Sequence, residues 1–259
     1  MKNILILSIS LILFSACKNN NNDPVPAQQE TYGSAVLKFE HTFNDEEFIL
    51  NSSSYYKTSS EDSLIFTTFK FYISNIQFKK SDGTIWKQKN GYYLIDYSTA
   101  SEGIVSITVD SIPSGDYTDV TYTIGVDSTS NVSGAQSGAL DPINGMFWSW
   151  NTGYIFLKAE GTYQNVTNGD FQYHIGGFKN SNSTNALQSK SFNSGLVPIM
   201  INPKSSPQIH FAVDVKKLFD GGTITLKASD TPTMMMPGST SVNISKNYAT
   251  MFSLEHVHN

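Results

Sequence analysis

The amino-acid sequence predicts an all-β protein, a single antiparallel β-sandwich with long loops, and three observations carry that prediction. From Val36 onward apolar side chains recur with a period of two: Leu37, Phe39, His41 and Phe43, then Phe69, Phe71 and Ile73, then Val120, Tyr122 and Ile124. Further runs at 92–97, 104–109, 154–160, 171–178, 196–201, 207–215, 223–227 and 249–257 are separated by Gly, Pro, Asn and Ser clusters, the punctuation of many short strands. A helical period is nearly absent; the best candidate is one turn around Val215–Phe219, in DVKKLFDGG, which the glycines would end.

The chain begins with features of an export signal. Lys2 precedes an apolar run, Ile4 to Phe14, too short for a bilayer, which takes about 20 residues. Phe14-Ser15-Ala16-Cys17 closes it in the manner of a bacterial lipoprotein signal. Cleavage before Cys17 would leave that cysteine as the acylated first residue, so 1–16 is read as signal peptide; an ordinary secretory signal with an incidental cysteine is the alternative. Residues 17–32 (CKNNNNDPVPAQQETY) offer almost nothing to a core and suit a flexible tether. Residues 33–259 contain no linker and lie within the size that all-β folds fill as one domain. The expected location is the bacterial cell envelope, at its periplasmic face or at the cell surface, with membrane contact through the lipid anchor.

Composition then narrows the chemistry. The 259 residues are 39% hydrophobic and only 15% charged, enough apolar material for a large core. The 17 basic residues are all lysines and the net charge is −5, so no guanidinium stripe exists to clamp phosphates and nucleic acid is not an expected partner. With Cys17 the single cysteine, a metal must be held by His, Asp, Glu, Met or aromatic groups. There is no G-x-S-x-G elbow, Walker loop, HExxH or Rossmann glycine string, so no enzymatic activity is expected. Asp127 opens DSTSN, but Val132 and Gly138 stand where an EF-hand needs glycine and glutamate, which leaves at most an irregular calcium site.

Five histidines are candidate metal ligands: His41, His174, His210, His256 and His258. Strand alternation turns His41 into apolar surroundings, where an unpaired ring is costly. It puts His174 opposite Phe171, Tyr173 and Ile175, and His210 opposite Ile209, Phe211 and Val213. His256 and His258 share a face with Phe252 and Leu254, so both are expected to turn inward and to act together on one ion. For each alone, a hydrogen-bonded structural role is the competing explanation. The run Met234-Met235-Met236 adds thioethers that recruit Cu(I) or merely pack. Loops 126–146 and 179–195 are long and rich in Ser, Asn, Gly and Ala, as functional or mobile loops are.

The most distinctive segment is NGMFWSWNTGYIFLKAEG (144–161), where Met146, Trp148 and Trp150 fall on one face if the chain is extended. Core packing, an aromatic platform for sugar rings, and indoles beside a metal all suit it. With GVDSTSN (125–131), GALDPI (138–143), FQYHIGG (171–177), HFAVDVKKLF (210–219) and the closing NYATMFSLEHVHN (247–259), the chain resembles the exported MbnP-like copper-binding family. The likeness extends to TFKFYISNIQF (68–78), YYLIDYS (92–98) and IPSGDYTDVTYTIGVD (112–127), and so covers nearly the whole body.

That resemblance implies a β-rich copper-binding protein, its partner a di-haem cytochrome c peroxidase-like protein that oxidises a tryptophan to kynurenine. By position it points to His41 and His174 as copper ligands and to Trp148 or Trp150 as the modified residue. No Trp-x-His occurs at 148–150, so ligands must converge from separate strands. The alternative function is a carbohydrate- or peptide-binding surface lipoprotein using its aromatic side chains.

Overall fold

The computed structural model describes residues 30–150, 153–178 and 184–259; the signal sequence, Cys17 and most of the tether lie outside the described residues. Residues 31–259 form one compact unit. Ten strands build it: β1 (Tyr32–Phe43), β2 (Ser63–Lys79), β3 (Tyr92–Asp96), β4 (Ile104–Pro113), β5 (Asp119–Ile124), β6 (Leu157–Gln164), β7 (Asn168–Ile175), β8 (Gln188–Asn193), β9 (Gln208–Asp214) and β10 (Phe252–His258). Three helices, α1 (Ser128–Val132), α2 (Lys217–Asp220) and α3 (Ser239–Tyr248), and several short bridging strands fill the connections.

One sheet runs β10–β9–β1, with β4 on the other side of β1. The second is built on the 17-residue β2, which pairs with β6 along its first half, with β5 along its second, and with β3; β7 and β8 extend it outward. The all-β sandwich is as predicted, but the pairings are mixed rather than wholly antiparallel. β1 and β9 run parallel from Val36↔Gln208 to Thr42↔Asp214. A parallel neighbour needs a long crossover, and periodicity alone does not announce one.

Alternation decides what joins the two sheets. Leu37 and Phe39 of β1, Phe69 and Phe71 of β2, Tyr122 of β5, Phe211 of β9 and Phe252 of β10 are all buried. The Phe39 ring stacks on Phe211 at 5.4 Å and meets Phe71 and Tyr122 edge-on across the sandwich, both at 6.0 Å. Each such pair adds about 0.5–1.5 kcal/mol beyond burial of its area.

Four segments depart from the sequence reading. Residues 223–227 form a loop, because the buried Asn247 side chain takes the place of a strand partner: its Oδ1 accepts from the backbone N–H groups of Thr223 and Ile224, and its Nδ2 donates to Ile224 O. Within 179–195, Gln188–Asn193 is a strand on β5, and 126–146 holds α1 and two 3-10 turns. Ser239–Tyr248 is a helix whose buried positions include Ser241, Ser245 and Asn247, so no apolar stripe marks it.

The carboxylate of Asp62, fully buried, fastens the start of β2 to two loops. Its Oδ1 accepts from Asn165 Nδ2 at 2.8 Å and Ser229 Oγ at 2.9 Å, and its Oδ2 from the Ala228 N–H at 2.5 Å. Asp62→Ala leaves those donors buried without partners, and urea unfolding should show a loss of about 2–4 kcal/mol.

Candidate metal centre

The five histidines fall in three separate places. His41, on β1, is 2% exposed and faces the core, with its ring 4.8 Å from that of Tyr97 and 5.9 Å from those of Phe69 and Phe71. Neither ring nitrogen has a geometrically sound hydrogen-bond partner. Burial pushes its pKa down to about 4, against the opposing pull of the nearby Gly103 and Phe39 backbone, so the ring is neutral.

His174, on β7, lies on the other face of its sheet, away from Phe69 and Phe71. Its Nε2 is 2.7 Å from Glu160 Oε1, and Lys158 Nζ is 3.4 Å from the same oxygen. The hydrogen bond from His174 holds the Glu160 carboxyl down to about 2 in spite of burial, with Lys158 and Thr68 assisting. The same face carries Lys70, paired with Asp96 at 2.8 Å. His174 thus ends a ladder of charged side chains and is not brought together with His41; the sheet that bears Phe69 and Phe71 stands between them.

His210, His256 and His258 do converge. The His210 and His256 ring centroids are 4.3 Å apart, those of His256 and His258 4.6 Å, and those of His210 and His258 5.3 Å. One nitrogen from each ring lies within 4.8 Å of the others, and among the described residues this is the one group of three or more His, Cys, Asp or Glu so placed. A tetrahedral ion with metal–nitrogen distances of about 2.0–2.1 Å needs nitrogens about 3.4 Å apart. His256 and His258 are exposed and free to close that gap by rotating. His210 Nε2 is buried without a hydrogen-bond partner. Its pKa lies below the ordinary histidine value, first through desolvation and then through the charges of His256, Lys38 and His258, which favours the neutral ligand form.

A β-bulge makes this cluster and overturns the inward orientation expected for His256 and His258. Phe252 of β10 pairs with Val213 and Leu254 with Phe211, but His256, not Glu255, stands opposite His210. Glu255 is the extra residue. One inserted residue reverses every later side chain, so Val257 packs on the core and His256 and His258 point outward beside His210. The H-x-H spacing is readable in the sequence; its meeting with His210 required the register.

The tryptophans form a separate place. Trp148 is 5% and Trp150 60% exposed, with ring centroids 5.8 Å apart, beside a cavity of about 450 Å³ lined also by Tyr154, Phe178 and Met236. Trp148 Nε1 is buried without a partner. Gly176 permits this packing, since a Cβ there would lie 2.8 Å from the Trp148 ring. At Asp127 both carboxylate oxygens are engaged within the protein: one caps α1 through the N–H groups of Thr129 and Ser130, and the other accepts from Tyr92 and Asn75.

The profile of the MbnP family matches residues 32–236. Among solved structures, MbnP from Methylosinus trichosporium is similar, with a TM-score of 0.50, 14% identity, and coverage of 86% of this chain and 98% of that one. At that identity the likeness concerns the fold. No curated protein matches. His210 lies inside the matched residues, whereas His256 and His258 lie beyond them.

The buried neutral imidazole of His41 has a consequence for stability. Below its ordinary pKa of 6.5 the unfolded chain takes up a proton that the folded chain refuses until about pH 4. Its contribution is complete above 6.5 and is lost as pH falls toward 4. Between pH 7 and 4.5 the wild type should lose about 2 kcal/mol more than His41→Leu in paired urea titrations.

Proposed function

Because the chain belongs to the MbnP family, we propose that it is a copper-binding protein of the bacterial cell envelope that holds its ion on His210, His256 and His258. The single observation that carries this reading is the meeting of three imidazoles from two strands, with no carboxylate among them. Three neutral nitrogen donors suit copper, and a surface opening lets the ion enter and leave. The protein binds and presents the metal and catalyses no reaction of its own. Export and anchorage through Cys17 rest on the signal-like N-terminus.

Folded protein should retain one equivalent of copper after dialysis. The pair His256→Ala and His258→Ala should abolish retention, whereas His41→Ala and His174→Ala should leave it. At a free copper concentration 100-fold above Kd, the ion should stabilise the wild type by about 2.7 kcal/mol and the double variant not at all. Unchanged retention in the double variant would sink the assignment.

The tryptophan pair supports a further part of the reading, a di-haem peroxidase-like partner that oxidises an indole to kynurenine. Trp150 is the accessible ring and Trp148 the sheltered one behind it. The aromatic-lined cavity favours the alternative, in which Trp150 is a platform for a sugar or peptide. Peptide mass mapping of native protein separates them: a mass change within 146–156 supports oxidation, and an unchanged peptide with glycan binding lost in Trp150→Ala supports the platform.

A further inference from the structure

A lysine stands beside the three histidines, where a site for a bare cation has no use for one. Lys38 of β1 is the register partner of His210 on the parallel strand β9, and both side chains point away from the core, since their neighbours Leu37, Phe39, Ile209 and Phe211 are buried. Among the described residues Lys38 has no ion-pair partner. Its charge is among those that lower the pKa of His210. Glu40 lies one pleat further on, opposite Ala212, and the Glu255 carboxylate accepts from Ser253 Oγ at 2.9 Å.

Beside a divalent ion this charge is repulsive; beside an anion bound to that ion it is attractive. Three neutral imidazoles leave coordination positions open and the ion's charge uncompensated. Two of the three are exposed, which gives a second ligand room to approach. We propose that the three-histidine centre takes its metal ion as a complex with an anionic, carboxylate-bearing chelator, whose negative charge Lys38 receives. This deepens the metal-centre reading and rests on it.

Calorimetric titration at low salt tests the proposal with two probes: Cu(II) alone, and the 1:1 complex of Cu(II) with nitrilotriacetate, which carries one net negative charge. Lys38→Met should tighten binding of the bare ion about five-fold and weaken binding of the chelate about three-fold, with both effects shrinking as salt is added. Lys38→Glu should widen the split. Both probes should fail on the His256→Ala, His258→Ala variant. If the two affinities move in the same direction, or neither moves, or wild type takes the bare ion but not the chelate, the proposal is overturned while the metal centre stands. If wild type takes neither probe, the metal-centre reading falls and this one falls with it.

Discussion

Strict two-residue alternation along β10, broken there once at Glu255, is the constraint on which the candidate site depends. Phe252 and the segment that follows it belong to the same strand, yet they have opposite tasks. Phe252 must reach the aromatic cluster around Phe39, where its ring centroid lies 6.5 Å away. His256 and His258 must not follow it inward, because imidazoles in that surrounding would be stripped of water without partners, at a cost of a few kcal/mol each. A bulge satisfies both demands within seven residues.

The histidines show how one side chain takes three characters from three environments. His41 is enclosed by rings and stays neutral; its packing role is that of an aromatic residue with two unmet nitrogens. His174 is tied to Glu160 and Lys158 on a polar face and serves a charge ladder. His210 is partly shielded and has the Lys38 ammonium on the neighbouring strand, so proton release is favoured and its lone pair is available for a metal. The resemblance pointed to the first two as copper ligands, but it is the remaining three that the fold brings together.

Much of the fold was legible because inward positions are so uniformly apolar. Residues 92–96, 104–109 and 208–214 read as strands and are strands. Legibility failed where burial was achieved by polar side chains. In α3, Ser241 donates to Gly176 O and Ser245 to Val242 O, so residues that read as solvent-loving line the buried face. In β8 only Phe192 is buried, and all six of its residues read as loop. The candidate metal centre was half legible. The spacing of His256 and His258 gave their closeness to one another, while the bulge that turns them, and the β9 register that supplies His210, are properties of pairing between segments distant in sequence.

The position of β10 at the end of its sheet also bears on what the centre can do. A site between core strands holds an ion in a dry, closed shell. A site on the outer face of a terminal strand stays wet and open on one side. Here that strand is pinned beyond the histidines: Asn259 Oδ1 accepts from the Met200 N–H at 2.8 Å and its Nδ2 donates to Pro198 O at 2.9 Å. The imidazoles are therefore mounted between two fixed points, the Phe252 ring in the core and the Asn259 clamp, while their edges remain free. A backbone held at both ends lowers the entropic cost of capture, and the exposed imidazole edges leave the exit open.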